Sequence, residues 1–258
     1  MAELFDMKLR AARRDRAERI GAELFLFERA FEDCLERVML LGRRFERALL
    51  IGCPDPQWPS RLAAVAAGVD VCDPGPLFAR AAGGAAIIED AWQPSAGTYD
   101  LVFSVGALDT VNDLPLAVRL IGYSMKAQGL FIGALSGGDT VPQLRAAMRA
   151  ADAPSGGAAA HVHPRIEPSA LAPLLENAGF IRPVVDVDRV QVSYRELRRL
   201  VADLRAMGAS NILNARAGPL TRAQFEMASR AFREAGDGER TIETFEILHF
   251  AGWRPANI

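Results

Sequence analysis

The residues best able to hold or transform a ligand follow short apolar runs. The first run, Ala48-Leu-Leu-Ile, opens into Gly52-Cys53-Pro54-Asp55-Pro56. A second ends at Asp73, and a third is followed by Glu89-Asp90-Ala91. A carboxylate at the end of a buried strand can accept hydrogen bonds from the hydroxyls of a bound sugar. It can equally be a solvated loop residue. Cys53 is a thiol in the first of these loops, but no neighbouring base is evident, so a small buried residue is its default reading. His161-x-His163 offers two imidazoles to a metal, yet no third ligand is identifiable and no metal is expected. Asp113 and Pro115 form a helix-start pattern, with a structural role expected. Gly137-Gly138-Asp139-Thr140 either shapes a substrate-side loop or ends a strand and caps the helix reaching Arg145. The Arg13-Arg14-Asp15-Arg16 run reads as a solvated helix face.

The elements that position these residues alternate. Strands are expected at Ala48 to Gly52, Val69 to Asp73, Ala85 to Glu89, Leu101 to Ser104 and Leu130 to Ala134. Helices are expected between them at Pro59 to Ala67, Pro76 to Ala82 and Asp113 to Ala127. This order produces an α/β fold, a doubly wound parallel sheet with helices on both faces. Phe27, Phe31, Cys34, Leu35, Val38 and Leu41 form a leading helix closed by Gly42. Asp152 to Pro164 reads as a long loop, and Pro168 opens a helix ending at Gly179. A strand-like stretch lies in Ile181 to Tyr194, and amphipathic helices follow at Leu197 to Met207 and Thr221 to Ala235. A final strand lies in Arg240 to Trp253. The organisation expected is one domain, 1–258, with N-terminal helices over 1–45, a core over 46–192, a helical insertion over 193–239 and a final strand over 240–258.

Bulk properties set limits. At 258 residues, half of them hydrophobic, the chain is ample for one core and short for two comfortable domains. Thirty basic residues stand against 32 acidic ones, so no uniform positive field draws nucleic acid or anionic membrane. No apolar run approaches the about 20 residues that span a bilayer. Three cysteines without a CxxC pair suit reduced thiols, and a soluble, cytoplasmic protein is expected. Acidic residues interleaved in the Arg-rich first twenty positions favour a helical extension over a targeting signal.

The first loop resembles that of class I S-adenosylmethionine-dependent methyltransferases, whose motif is an acid, an apolar residue and Gly-x-Gly-x-Gly. Gly52 matches the first glycine, whereas Leu50 stands at the acid and Pro54 and Pro56 at the other glycines. Proline fixes φ at about −65° and fills space that glycine leaves open. The resemblance implies a seven-stranded Rossmann-like sheet and a cofactor site at Gly52, Cys53, Asp73, Asp90 and Ala91, with Asp73 toward the ribose and the acidic pair Glu89-Asp90 toward the adenine. Downstream, Tyr99-Asp-Leu-Val-Phe-Ser104, Val111-Asn-Asp-Leu-Pro115, Leu130-Phe-Ile-Gly-Ala134 and Gly137-Gly-Asp-Thr-Val-Pro-Gln-Leu-Arg145 resemble one branch. That branch holds bacterial relatives of the mitochondrial complex I assembly factor that hydroxylates an arginine, with malonyl-carrier-protein methyltransferase as a neighbour. The similarity runs from Phe27 to Phe245-Glu-Ile-Leu-His-Phe-Ala-Gly-Trp253. Asp109-Thr110 departs from the aromatic or His-Trp pair common in the branch.

Two functions follow. One is a methyltransferase-like enzyme binding S-adenosylmethionine and acting on a protein side chain or a carrier-bound acid. Alignment alone can drive methyl transfer, so no catalytic residue is named. The other is a binding or assembly protein with a decayed cofactor site and a partner such as a respiratory-complex subunit. A nicotinamide-dependent dehydrogenase would need Gly-x-Gly-x-x-Gly, which the sequence lacks.

Overall fold

Unbroken apolar runs become the centre of the sheet, because a strand covered by helices on both faces has no solvent side to alternate toward. The computed structural model describes residues 3–157, 159–216 and 218–256. Its strands are β1 (Phe45–Ile51), β2 (Ala66–Asp73), β3 (Ala85–Ala86), β4 (Tyr99–Val105), β5 (Met125–Ser136), β6 (Ile181–Tyr194) and β7 (Thr241–Trp253). They form one sheet in the order β3-β2-β1-β4-β5-β7-β6. β1 is parallel to β2 and to β4, with Leu50 opposite Val71 on one side and Phe103 on the other. β7 runs antiparallel to both β5 and β6. The order therefore reverses beside β1, which puts the ligand cleft of such a sheet at the carboxyl ends of β1 and β4.

Two helical layers cover the sheet. On one face, α2 (Phe25–Leu40) buries Phe31, Cys34 and Val38 against Leu50, Phe103 and Ile132. Trp58, at the start of α3 (Trp58–Leu62), stacks on Phe31 with centroids 4.4 Å apart, and its indole N–H donates to Glu28. On the other face, α5 (Leu114–Ser124) and α7 (Pro168–Asn177) bring Ile121, Leu171 and Leu175 onto Val102, Phe131 and Leu248. A third apolar cluster joins α6 (Pro142–Asp152), α8 (Leu197–Ala206) and α9 (Arg222–Glu234) through Leu144, Leu200 and Phe232. Two further helices are α1 (Met7–Ile20) and α4 (Pro76–Ala81). Among the described residues, no helix is long and apolar enough to cross a membrane.

Several boundaries differ from the expected ones. β3 pairs only through Ala85 and Ala86: β2 ends at Asp73, and the bond from the Ile87 N–H to the Asp73 carbonyl is the last rung between the two strands. α3 stops at Leu62, where the Val65 N–H closes onto the Leu62 carbonyl and β2 begins at Ala66. α5 ends at Ser124 rather than Ala127, since Met125 is already extended and opens β5. α6 runs to Asp152, so the expected loop begins with a short 3-10 turn over Ala153–Ser155. Ala158, within that loop, lies outside the described residues.

Candidate cofactor cleft

Gly52 leaves β1 with φ +84°, and a Cβ there would lie 2.4 Å from the Val105 carbonyl oxygen at the end of β4. Only glycine makes that turn at that separation. The chain then continues into Cys53, whose N–H donates to Asp73 Oδ2 at 2.7 Å. Asp73, at the end of β2, is fully buried and also accepts from the Gly75 N–H at 2.6 Å. Gly52, Cys53 and Asp73 thus come together at the carboxyl ends of β1 and β2. Leu50 lies in the core with no exposure, an apolar residue where the motif calls for an acid.

The remaining acceptor capacity of Asp73 goes to α1. Arg14 Nε donates to Oδ1 at 2.8 Å and Nη2 to Oδ2 at 2.6 Å, a bidentate clamp of the kind guanidinium geometry favours. One turn earlier, Arg10 donates from Nη1 and Nη2 to the two oxygens of Glu89, at 2.6 and 2.8 Å. Arg10 also donates to the Ala107 carbonyl, and Arg14 Nη1 to the Gly106 carbonyl at 3.3 Å. All four side chains are buried, the arginines at 3% and 5% exposure. Burial pulls the Arg14 guanidinium down, but the charge and hydrogen bonds of Asp73 outweigh it and hold the group above its ordinary value. Arg14 is therefore no solvated face residue, in correction of the reading of the Arg13-Arg16 run. Positions 10, 14 and 17 are the buried stripe of α1, and arginine occupies two of them.

The fold makes room for this helix. A Cβ on Gly75 would meet Arg14 Cβ at 2.6 Å, and one on Gly208 would meet Arg14 Cα at 3.3 Å. Asp6 caps α1 by accepting the Leu9 N–H, while its own N–H donates to the Ile212 carbonyl. Just before the cap, Phe5 exchanges two hydrogen bonds with the Asn112 side chain.

Asp90 is placed differently from expectation. Its Oδ2 accepts the Asp113 N–H at 2.8 Å, so it ties down the residue that caps α5 through the Leu116 N–H. Glu89 rather than Asp90 joins the buried set, and Ala91 only closes a turn onto the Ile88 carbonyl. With α1 seated, four donors fill the acceptor capacity of Asp73, and Glu89 holds a bidentate partner. As folded, α1 holds the acid at the end of β2 that a cofactor's ribose hydroxyls would use.

The other candidates resolve as follows. The Cys53 thiol is buried and donates to the Asp55 carbonyl; burial, then Asp73 and Asp55, push its pKa strongly up, which leaves no thiolate. His161 Nε2 lies 3.0 Å from Asp152, while His163 Nε2 accepts the Ile212 N–H at 2.9 Å, so the pair bind separate protein partners. Thr140 links β5 to β7 by accepting the Glu246 N–H and donating to the Glu246 carbonyl. Gly137 and Gly138 press against Glu246 and Glu167, which supports the strand-end reading of that loop. Asp109 pairs with the buried Arg165 at 3.1 Å. A trio absent from the sequence reading, Asp33, Cys34 and His249, brings three possible ligand atoms within 4.8 Å of one another. Its Cys34 thiol is pushed up to about 12, chiefly by burial.

No family model matches the chain. Among solved structures, the YcgJ protein of Bacillus subtilis is similar at a TM-score of 0.58, with 12% identity, over 87% of this chain and 99% of that one. A putative methyltransferase of Bacillus halodurans is similar at a TM-score of 0.55, with 12% identity, over 86% of this chain and 98% of that one. The chain has the class I methyltransferase fold. In sequence it is homologous to the mitochondrial arginine-hydroxylase NDUFAF5 of Mus musculus, 39% identical over 160 residues, which is 61% of this chain and 47% of that protein. It is also homologous to the malonyl-[acyl-carrier protein] O-methyltransferase of Laribacter hongkongensis, 30% identical over 163 residues, 63% of this chain and 53% of that protein. The chain spans about half the length of the curated relatives it matches. The aligned share is smaller than the Phe27 to Trp253 stretch over which the motifs resemble the branch.

Proposed function

We propose that this chain is a methyltransferase-like protein of the arginine-hydroxylase, complex I assembly branch, acting on a protein side chain or a carrier-bound acid, with a cleft that α1 holds shut. S-adenosylmethionine would gain Asp73 and Glu89 only when Arg14 and Arg10 leave them. The observation that carries the reading is the 39% identity to an arginine hydroxylase, in a chain that keeps a buried acid at the end of β2. A respiratory-complex subunit is the partner this branch suggests, and its docking against α1 would be one way to free the acids.

A second reading, a binding or assembly protein that no longer takes the cofactor, draws on two features. The two buried Arg–carboxylate pairs satisfy the cleft internally, and Pro54 and Pro56 stand where the motif has glycines.

Calorimetric titration of the full chain with S-adenosylmethionine and its demethylated product separates the two, after mass spectrometry for co-purified ligand. The gated reading expects weak binding that strengthens at least about tenfold in Arg10→Gln/Arg14→Gln, a gain of about 1.4 kcal/mol. No binding in either protein up to about 1 mM, where affinity is only about −4 kcal/mol, overturns it in favour of the second, provided both are folded.

A further inference from the structure

Arg10 and Arg14 face the cleft, but Arg13 and Arg16, on another side of α1, face a different space. α1, α6, α8, the start of α9 and the segment around His161–Arg165 line an open cavity of about 840 Å³. That is the size of a small-molecule site. Among the described residues that line it, seven are arginine and none is aspartate or glutamate. Three of those arginines have an acid near them: Arg165 with Asp109, Arg216 with Asp6 and Arg222 with Glu226. Arg13, Arg16, Arg198 and Arg205 form no ion pair among the described residues.

The donors are incompletely used. The Nε groups of Arg13, Arg16 and Arg165 are shielded from water and meet no acceptor. Arg165 has a side chain only 6% exposed, so its free N–H is a buried donor. A buried donor without an acceptor costs about 1–3 kcal/mol, which is why native proteins rarely leave one without a role. All three belong to side chains that line this one space. Burial first, and then the charges of Arg13 and Arg205, lower the pKa of Arg16, so these guanidiniums crowd one another. Apolar residues line part of the rest, Leu144 and Met148 from α6, Val201 and Leu204 from α8, and Phe225 from α9, beside the polar His161, His163, Ser210, Asn211 and Thr221.

We propose that this cavity binds a small amphiphile with a phosphate or carboxylate head, the head held by Arg13, Arg16 and Arg165 and the apolar body lying on Leu144, Met148, Leu204 and Phe225. Guanidinium is the side chain suited to such heads, because its planar fork matches two oxygens at once. Asp109 fixes Arg165 in place, so part of the site is preformed. The inference does not depend on the cofactor cleft accepting S-adenosylmethionine. Its ligand can be free in solution or presented on a carrier's prosthetic arm, since both offer an acyl chain and an anion.

The test is calorimetry on the full chain with decyl phosphate, decanoate, decanol and inorganic phosphate, each below its aggregation threshold. The proposal expects one-to-one binding of decyl phosphate in the range of about 1–100 μM, with decanol and inorganic phosphate each at least about tenfold weaker. Arg13→Gln and Arg16→Gln should each weaken decyl phosphate at least about fivefold, and salt raised from about 50 to about 500 mM should weaken it further. Circular dichroism checks that both variants keep the fold, and an upward shift in the wild-type melting temperature with decyl phosphate supplies a second readout. Decanol binding as tightly as decyl phosphate, affinity indifferent to both variants, or no heat up to about 1 mM would each overturn the proposal. A decanoyl-carrier conjugate added against a fixed amount of decyl phosphate separates the two sources: competition places the carrier's acyl arm in the cavity, and its absence leaves the free amphiphile.

Discussion

Arg14 of the first helix and Asp73 at the end of the second strand share two hydrogen bonds, of 2.8 and 2.6 Å, inside the cleft. Removing one partner strands a buried charge, whereas removing both need not. Arg14→Met should therefore destabilise the protein by about 3–5 kcal/mol in urea unfolding, and Arg14→Met/Asp73→Asn by clearly less than the sum of the single changes. Additivity of the two would mean that the pair is not coupled.

Gly75 tests the seat of α1 more gently. Its φ of −95° suits any residue, so the added methyl of Gly75→Ala acts only by meeting Arg14 Cβ at 2.6 Å and Asp73 Oδ1 at 3.1 Å. A loss of about 1–3 kcal/mol is expected, with faster hydrogen exchange in α1 and little change in the central strands. Uniform acceleration across the sheet would show that α1 is no separate unit. Gly52→Ala differs in kind, because it adds backbone strain at φ +84° to a collision with the Val105 carbonyl, and it should destabilise the whole domain.

The central strands were legible because burial on both faces writes itself as continuous apolar sequence, as in Ala48-Leu-Leu-Ile and Leu101-Val-Phe. β3 was overextended because Ala85-Ala-Ile-Ile is as apolar as a strand, while the end of its partner β2 at Asp73 leaves Ile87 as the last residue bonded across. The loop from Gly52 and the acid at Asp73 were legible as strand ends. The plug in the cleft was not, since buried arginines look like surface arginines until the carboxylates they meet are known. A signal was present all the same: Arg10, Arg14 and Ala17 occupy the i, i+4, i+7 stripe of a helix with no apolar stripe to bury. The Arg-lined cavity was hidden for a related reason, as its residues come from five separate stretches of chain.

The thiols give a third prediction. Burial is the main cause that raises Cys34 to about 12 and Cys72 to about 11, and it pushes Cys53 up as well, with the nearby acids adding to the effect. At about pH 8 the native protein should react with a thiol-exchange reagent about a hundredfold more slowly than the unfolded chain, in which all three react readily. One fast thiol in the native protein, traced to Cys53 by mass spectrometry, would instead make that residue a reactive group of the cleft.

His163 sets a pH limit on the region where α1 meets the cavity. Its ring is 4% exposed and accepts the Ile212 N–H; burial first, and then the charge of Arg165, lower its pKa from 6.5 to about 4. Between those values the unfolded chain binds a proton that the folded one refuses, so stability rises with pH across that window. The contribution is complete above about pH 6.5 and fades as the pH falls toward about 4, for a total on the order of 3 kcal/mol. Urea unfolding from about pH 7 to about pH 4 should show this decline, and His163→Gln should flatten most of it. The slope left in the variant belongs partly to His249, which burial also lowers. An unchanged slope in His163→Gln would mean that the ring takes up its proton without disturbing the Ile212 contact, and that the acid sensitivity of the fold lies elsewhere.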